Sequence, residues 1–256
     1  MKKVSLIMTT FNCAAQVEKV LKSIAEQDYK TIEIIVKDGG STDNTIQVIE
    51  GIKRKYNLNL LIKSSPDRGI YDAMNQGFEL STGDIVAFIN DVLLESSVVS
   101  KMIHAISEYP DCIGAHADLV YFKDGKVKRY WKMGEGSICD GWMPGHPTLF
   151  LKREVYLQYG LYKEDYKCSA DYEFMVRILK DRKNKLIYVP ILMVGMFYGG
   201  TSTDGLKGYF LSLKEAHKAL LDNGVKFAWL IDLKRTYKVI KQYVNRNVPQ
   251  INIQEY

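Results

Sequence analysis

Two stretches near the start of the chain decide the fold: VSLIMTTFN at residues 4–12 and IEIIVKDGGSTDNT at residues 32–45. Each begins as a short apolar run, ends in small, polar or acidic residues, and is followed by apolar positions at helical spacing. In open α/β sheets, ligands bind at the carboxyl ends of the strands. The two stretches therefore predict a ligand site at one edge of an α/β sheet.

The first half of the chain continues this alternation of strand and helix. Its apolar patterns predict strands at 4–8, 32–36, 58–62 and 85–89, helices at 14–27 and 42–56, and a loop with a helix at 67–80. Strands that alternate with helices are typical of a mostly parallel, doubly wound sheet.

The second half has a different pattern. It predicts a hairpin of 113–121 with 127–130, strands at 148–152 and 186–189, and a helix at 171–181. The clearest boundary lies near residues 199–208. Two amphipathic helices follow it, 209–223 and 225–245, and Asn223-Gly224 between them is a helix-ending signal.

Composition is that of an ordinary globular protein, with 256 residues, 46% apolar and 25% charged. The sequence MKK leads directly into a strand, so we expect no signal peptide. The longest apolar stretch, 186–198, contains Pro190 and Gly195; it is too short to cross a bilayer as a helix and is better interpreted as one or two strands. The four cysteines form no CxxC pair, which favours free thiols in the cytoplasm over a zinc site.

The net charge of +5 is concentrated at the end of the chain. Residues 206–256 hold nine Lys/Arg and four Asp/Glu, which leaves 26 of each sign in residues 1–205. Aromatic residues are interleaved with these lysines. The pattern fits a solvated helix face above a packing stripe, and it also fits docking on anionic lipid headgroups. No nucleic-acid motif accompanies the small surplus, so we expect no nucleic-acid partner.

Five motif regions, in order, resemble a family-2 glycosyltransferase with the GT-A fold, in particular bacterial enzymes of polysaccharide and colanic-acid-type synthesis. They are TTFN (9–12), KDGGSTDNT (37–45), PDRGIYDAMN (66–75), FIND (88–91), and a series that runs from GHPT (145–148) to ADYEF (170–174). The resemblance implies a GT-A-like domain over 1–205, with a nucleotide-sugar half (1–95) and an acceptor half (96–205). Residues 206–256 would form a basic, helical extension.

The resemblance also implies a donor site. Thr9 and Phe11 would lie near the nucleobase, and Asp38 would hold the uracil or ribose. Arg68 suits a diphosphate because its planar fork donates two bonds at once. The complete set of implied donor-binding residues is Thr9, Phe11, Asn12, Asp38, Asp67, Arg68, Asp72, Asn75 and Asn90.

The resemblance further implies a divalent metal, Mn²⁺ or Mg²⁺, on a D-x-D-like motif, because hard cations prefer carboxylate oxygens. In this chain the motif is shortened to Asn90 and Asp91, followed by Val92. Asp91 is then the remaining metal ligand, with Glu95 nearby. Alternatively the metal aspartate has been replaced by Val92, or the strand simply ends in an Asn-Asp turn.

Asp171, in the ADYEF motif, corresponds by resemblance to the family's catalytic base. His146 would lie near the acceptor or the diphosphate, and a loop with Gly199, Gly200 and Ser202 would close over the phosphates. Each has a plainer interpretation: a helix-start carboxylate, a packed histidine and an ordinary turn.

The implied activity is transfer of a sugar, with inversion, from a nucleotide-sugar donor, a UDP-sugar, to a hydroxyl of a glycan or lipid-linked glycan. Such an enzyme would work in the cytoplasm or at the inner face of the cell membrane, in cell-surface polysaccharide synthesis. The shortened metal motif motivates an alternative, a non-catalytic subunit that binds nucleotide sugars. A nucleotidyltransferase would need a Gly-rich basic loop after the first strand, and a dinucleotide oxidoreductase a GxGxxG there; residues 9–13 supply neither.

Overall fold

Nine strands and eight α-helices form the part of the chain that is described, residues 1–123, 125–197 and 205–244 of a computed structural model. The strands are β1 (Val4–Thr10), β2 (Ile32–Asp38), β3 (Leu60–Ser64), β4 (Ile85–Phe88), β5 (Val92–Leu93), β6 (Gly114–Lys123), β7 (Lys126–Trp131), β8 (Phe150–Lys152) and β9 (Leu186–Phe197). The helices are α1 (Ala14–Ala25), α2 (Thr45–Tyr56), α3 (Ile70–Leu80), α4 (Val98–Glu108), α5 (Arg153–Tyr159), α6 (Ala170–Leu179), α7 (Gly205–Asp222) and α8 (Ala228–Val244).

All nine strands belong to one sheet, in the order β3-β2-β1-β4-β8-β6-β9-β5, with β7 paired to β6. The first four strands in this order are parallel, β8 runs antiparallel to both its neighbours, and β6 and β9 are parallel to each other. Thr10 lies opposite Asp38, and Asp38 lies opposite Ser64. The carboxyl ends of β1, β2 and β3 are therefore level, as a shared ligand site requires, and the predicted α/β fold class is confirmed.

The sheet is buried on both faces because its inner strands are continuously apolar. Leu6 belongs to the core on the side of α1, α2 and α4, whereas Ile7 belongs to the core on the side of α3, α5 and α6. Ile34 and Ile35 divide in the same way, as side chains that alternate along a strand must. Each such fully buried side chain stabilises the fold by about 1.5–3 kcal/mol.

Strand β9 extends well beyond the predicted end at residue 189. Pairing with β6 continues through Pro190, but the register shifts: His116 pairs with Tyr188, and Asp118 pairs with Leu192. Proline has no N–H to give to a sheet, so it is tolerated where a bulge interrupts the ladder. This continuation agrees with the interpretation of residues 186–198 as one or two strands, whereas the sequence patterns did not predict the helices α4 and α5.

The two C-terminal helices join the core through their inner faces. Ala219, Leu220, Ala228 and Ile231 are buried in the cluster that also contains Phe174 of α6. The proposed boundary between residues 205 and 206 remains a prediction, since 198–204 lie outside the described residues. Within the described ranges, no helix has the length and apolar character needed to cross a membrane.

Helix α8 also lies against a short 3₁₀ turn, Ile138–Asp140. Gly141 ends this turn with φ of 66°, in the left-handed region where a side chain is unfavourable. A Cβ at this position would lie 2.5 Å from the backbone nitrogen of Arg235 in α8. The glycine therefore permits the close approach that makes α8 one wall of the cleft described next.

Candidate active site

A cleft of about 950 Å³ opens between the carboxyl end of β4, the starts of α3 and α6, and α8. A smaller cavity of about 370 Å³ lies beside the end of β1 and is lined by Thr9, Phe11 and Cys13. Asn90 and Asp91 line both spaces, so they mark the place where the two meet.

Thr9 and Asn90 fix the ends of β1 and β4 to each other. The backbone N–H of Thr9 donates to Asn90 Oδ1, and Asn90 Nδ2 donates to Thr9 Oγ1, both at 2.9 Å. These two side chains therefore hold the loop that presents Asp91. Phe11, just beyond them, leaves 63% of its surface exposed, which makes its ring available to a ligand.

The carboxylate of Asp38 is fully buried and accepts hydrogen bonds from neighbouring loop groups. Its donors are Thr10 Oγ1 (3.0 Å), Gly40 N (3.0 Å), Ser41 N (2.9 Å), Ser41 Oγ (2.5 Å) and Ser64 Oγ (2.7 Å). Burial alone would raise the pKa of this carboxyl, but the hydrogen bonds outweigh it and lower the pKa below its usual value. Asp38 therefore organises the loop between β2 and α2, and its contact with a nucleotide stays a prediction.

Lys37 fixes the same loop from inside the protein, a role that the sequence patterns did not reveal. Its side chain is completely buried, and Nζ donates to the carbonyl oxygens of Asp38 (2.8 Å) and Ser65 (2.6 Å). The same Nζ lies 3.5 Å from Asp67 Oδ2. The only sequence signal for this role was a lysine within a run of strand residues, because a lysine buried in a strand is rare without partners.

The PDRG segment places Arg68 at the surface above the start of α3. Its Nη2 lies 3.0 Å from Asp72 Oδ1 and 2.9 Å from Glu164 Oε2, yet 75% of its side chain is exposed. Asp67 accepts a bond from Gly69 N at 3.0 Å, and Gly69 has φ of 129°, which glycine alone adopts without strain. The turn is therefore built to project the Arg68 guanidinium outward.

Other motif residues make structural bonds. Asn75 binds the main chain of Tyr162 in both directions, donating to its carbonyl at 2.9 Å and accepting from its N–H at 3.0 Å. Asn12, with φ of 47°, accepts from Thr42 N at 2.8 Å. Their roles towards a ligand remain predictions. Gly199, Gly200 and Ser202 lie outside the described residues.

Asp91 is half-buried between the two cavities. Burial raises the pKa of its carboxyl to about 7, against a smaller, opposite effect of the Phe197 backbone N–H. In the described ranges no lysine or arginine pairs with it, and no group of three or more potential metal ligands occurs. Glu95, the nearby alternative, pairs with Lys101. A single desolvated carboxylate can contribute to binding a divalent ion that is also bound by oxygens of a substrate. It cannot hold such an ion by itself.

Asp171 lies in the first turn of α6 and lines the cleft. Tyr71 Oη donates to its Oδ1 at 3.1 Å. Burial, and then the charge of Asp171, raise the pKa of Tyr71 far above its usual value, so the phenol keeps the proton that it donates. Glu173, two residues on, is fully buried and pairs with Lys163 and Arg177, which leaves Asp171 as the carboxylate of this helix start that faces the cleft.

His146 lies in the floor of the same cleft, behind Asp171. Its Nε2 lies 2.7 Å from Tyr162 Oη, and its ring packs against Phe88 with centroids 5.8 Å apart. Burial lowers the pKa of His146, with a smaller opposite effect of Asp171, so the ring is neutral at neutral pH. The structure thus brings Asp91, His146 and Asp171 to one cleft.

Comparison with known proteins identifies the family. The family model described as Glycosyl transferase family 2 matches residues 5–168. The chain is a family-2 glycosyltransferase. The matched region contains β1 to β8 and all the donor-side motifs, so the resemblance seen in the motifs is confirmed.

Two relatives of this glycosyltransferase show the range of the family. A PGL/p-HBAD biosynthesis glycosyltransferase of Mycobacterium bovis is 27% identical over 215 residues, which cover 81% of this chain and 82% of that protein. A GalNAc(5)-diNAcBac-PP-undecaprenol beta-1,3-glucosyltransferase of Campylobacter jejuni is 35% identical over 147 residues, 55% of this chain and 45% of that protein.

Solved structures agree on the GT-A fold of the glycosyltransferase. TarS 1-349 of S. aureus in complex with UDP-GlcNAc matches with a TM-score of 0.68 and 18% identity, covering 93% of this chain and 73% of that one. The mannosyltransferase PcManGT from Pyrobaculum calidifontis, in complex with GDP-Man and Mn²⁺, matches with a TM-score of 0.63 and 17% identity, covering 97% of this chain and 77% of that one.

Proposed function

We propose that the protein transfers a sugar from a UDP-sugar to a hydroxyl group of a glycan or lipid-linked glycan, with inversion at the anomeric carbon. The observation that carries this proposal is that Asp91 and Asp171 line one cleft, with Asp91 at the junction of that cleft with the cavity beside β1. The UDP-GlcNAc complex of TarS and the acceptor in the name of the Campylobacter relative support the choice of donor and acceptor.

The donor would occupy the cavity beside β1 and reach the cleft at Asp91. Phe11 offers an exposed ring on which a nucleobase can stack. Arg68 would exchange its bonds to Asp72 and Glu164 for bonds to the diphosphate, since its guanidinium is already at the surface. Other motif residues would position the donor indirectly, through the loops that they hold: Asp38, Asp67, Asp72 and Asn75.

Asp171 would serve as the general base. Its carboxylate accepts the proton of the acceptor hydroxyl while that oxygen forms a bond to the anomeric carbon. The bond from this carbon to the diphosphate oxygen breaks in the same step, and its electron pair leaves with the diphosphate. Tyr71, hydrogen-bonded to Oδ1, would hold the carboxylate in the correct orientation. One displacement gives inversion.

Asp91 would hold Mg²⁺ or Mn²⁺ together with oxygens of the donor diphosphate. The PcManGT structure contains Mn²⁺ with its donor, and the carboxylate chemistry of Asp91 is compatible with the same ion. When bound, such an ion supplies positive charge to the departing diphosphate. A non-catalytic nucleotide-sugar subunit remains a second candidate, because the metal motif is shortened and no group of three or more potential metal ligands occurs among the described residues.

The experiment that tests the proposal is donor hydrolysis across UDP-, GDP- and dTDP-sugars, with Mn²⁺ or with EDTA. We expect hydrolysis of one UDP-sugar, lost with EDTA and in Asp91→Ala. Glu95→Ala is the matched control, since it removes a neighbouring carboxylate paired with Lys101 and should leave the rate unchanged. UDP binding by calorimetry, with no turnover in the presence of any offered acceptor, would favour the non-catalytic candidate.

The outer face of α8 supports peripheral binding to an anionic membrane. Trp229, Leu233 and Tyr237 recur every four residues and leave 61%, 60% and 59% of their surfaces exposed. We propose that this stripe inserts into the membrane–water interface and that lysines beside it bind the lipid headgroups. Serine at all three positions should abolish co-sedimentation with anionic vesicles. Leu157→Ser removes an exposed leucine from α5 and should leave co-sedimentation unchanged. Equal loss of co-sedimentation in both variants would show that the stripe is not the membrane-binding surface.

A further inference from the structure

One wall of the cleft, formed by residues of β7 and α8, is cationic. The cations that line it are Arg129 of β7, Lys132 just after that strand, and Arg235 and Lys238 of α8. Glu135 is the acidic residue that lines the cleft on this side. Two elements distant in sequence therefore bring four positive charges to one space, and we call these four residues the cationic wall.

The two arginines of the cationic wall are already held in place. Arg129 Nε donates to Gln242 Oε1 at 2.7 Å, and its guanidinium lies over the rings of Tyr121 and Trp131, 4.8 and 5.1 Å from their centroids. Arg235 lies 4.7 Å from the ring centroid of Tyr172. Side chains fixed in this way lose little conformational freedom when they bind a ligand.

The positive charges of the two lysines of the cationic wall are not neutralised by any described acidic residue. Lys132 is exposed and Lys238 is half-buried, and neither forms an ion pair with any described residue. By contrast Lys234, one turn before Lys238 on α8, lies 3.5 Å from Asp140. Like charges brought together repel one another, and an anionic ligand between them removes that cost.

The proposed donor site already accounts for one anion, the nucleotide diphosphate at Asp91 and Arg68. The cationic wall lines the same cleft as Asp171, together with Tyr130 and Trp142, whose rings suit a sugar or an alkyl chain. We propose that the cationic wall binds a phosphate or diphosphate group of the acceptor. This proposal rests on the proposed function, and it names a feature of the acceptor: an anionic linkage beside the sugar that receives the new bond.

The geometry of α8 joins this site to the proposed membrane face. Arg235 and Lys238 point into the cleft, while Leu233 and Tyr237 lie on the exposed side of the same helix. A phosphate that links a sugar to a lipid would then meet the cationic wall where the lipid chain leaves for the membrane. A free sugar phosphate offers the same charge without the chain, so the test separates these sources.

The test is calorimetric binding of butyl diphosphate to the full chain saturated with UDP, with butyl glucoside as the uncharged probe. We expect butyl diphosphate to bind and butyl glucoside to bind at least tenfold more weakly. The double variant Lys132→Gln/Lys238→Gln should lose at least tenfold in affinity for butyl diphosphate, because charge-assisted bonds are lost. Inorganic pyrophosphate that binds as tightly as butyl diphosphate would point to a soluble phosphate rather than a lipid-linked one.

The matched control is Lys214→Gln/Lys226→Gln, which makes the same charge change at two exposed lysines outside the cleft. It should bind butyl diphosphate like the wild type, and Lys132→Arg/Lys238→Arg should retain binding because it keeps the charge. Equal affinity in the Gln double variant and the wild type, or no binding to wild type, overturns the proposal.

Two further readouts separate this inference from the proposed function. If Lys132→Gln/Lys238→Gln also weakens UDP binding tenfold, the cationic wall holds the donor diphosphate and the inference is wrong while the transferase proposal stands. If the wild type binds butyl diphosphate but no nucleotide or nucleotide sugar, the donor proposal fails and the anionic site stands.

Discussion

The donor-side loops and the cleft use their polar residues in opposite ways. On the donor side, Asp38 accepts five hydrogen bonds and Asn75 makes two with the backbone of Tyr162. In the cleft, Asp91 at the junction with the donor cavity and Lys132 of the cationic wall form no ion pair with any described residue. Asp38 and Asn75, which look functional in the sequence, therefore build rigid loops, whereas Asp91 and Lys132 remain available to a ligand in the cleft.

The pKa values of Asp38 and Asp91 express the same contrast. Hydrogen bonds hold the pKa of Asp38 below its usual value, so its ionised form stabilises the folded chain. Burial without such bonds raises the pKa of Asp91 to about 7, so ionisation there opposes folding. Groups with this second kind of environment concentrate at functional sites.

The largest effect should follow from Asp171→Asn. An amide cannot accept the acceptor proton, so turnover with donor and acceptor should fall by about 10³-fold while UDP affinity is unchanged. Single-turnover kinetics and calorimetry measure the two quantities. Asp111→Asn, an exposed change outside the cleft, is the control. If turnover survived in Asp171→Asn, the base would have to be another group and the acceptor side would lose its central residue.

Asp38→Ala should lower the free energy of unfolding by about 3 kcal/mol, because buried donors of the β2–α2 loop lose their acceptor. Asp91→Ala should leave stability unchanged near pH 4 and raise it increasingly between pH 4 and pH 7, because the unfolded chain ionises this carboxyl before the folded chain does. Urea unfolding of both variants measures the contrast. Equal destabilisation by the two variants would show that the donor-side loop and the cleft do not differ in this respect.

The sequence was sufficient to predict elements whose apolar residues repeat at a fixed period and motifs whose residues lie close together along the chain. Apolar alternation located β1 and β2, and helical spacing located α1 and α6, because burial on a strand or helix has a fixed period. The same reasoning placed Asp91 and Asp171 at element ends, where they face the cleft.

Features that depend on distant contacts could not be predicted. Nothing local shows that Ser64 would reach Asp38, or that Gln242 would hold Arg129 from 113 residues away. The cationic wall exists because α8 lies against Gly141, a contact that no motif encodes. Sequence patterns thus found the elements and the carboxylates, and missed the partners that decide which carboxylates remain available.

Behind the acceptor side, His116 should make stability depend on pH. Its ring is fully buried between Trp142 and Tyr188, with neither nitrogen hydrogen-bonded to a described residue. Burial lowers its pKa to about 4, below the unfolded value of about 6.5, so the unfolded chain gains the proton first. The contribution is complete above pH 6.5 and is lost as pH falls towards 4, about 2 kcal/mol between pH 7 and pH 5.

Urea unfolding of His116→Phe across this range should show a flatter profile than the wild type, since the ring that must remain neutral is gone. Some slope will remain, because burial also lowers the pKa of His146. His104→Phe, at an exposed position of α4, is the control and should leave the profile unchanged. Identical profiles for His116→Phe and the wild type would contradict the prediction.

The smallest effect, and the sharpest test of the donor side, concerns Phe11. Because its ring is exposed, Phe11→Ala should leave the free energy of unfolding unchanged while it weakens UDP binding about fivefold, the loss of roughly 1 kcal/mol of stacking on the base. Phe11→Tyr keeps the ring and should bind UDP normally; Tyr109→Ala removes an exposed ring elsewhere and should have no effect. Unchanged UDP affinity in Phe11→Ala would place the base elsewhere, and the motif residues at the end of β1 would then serve only to build the loop.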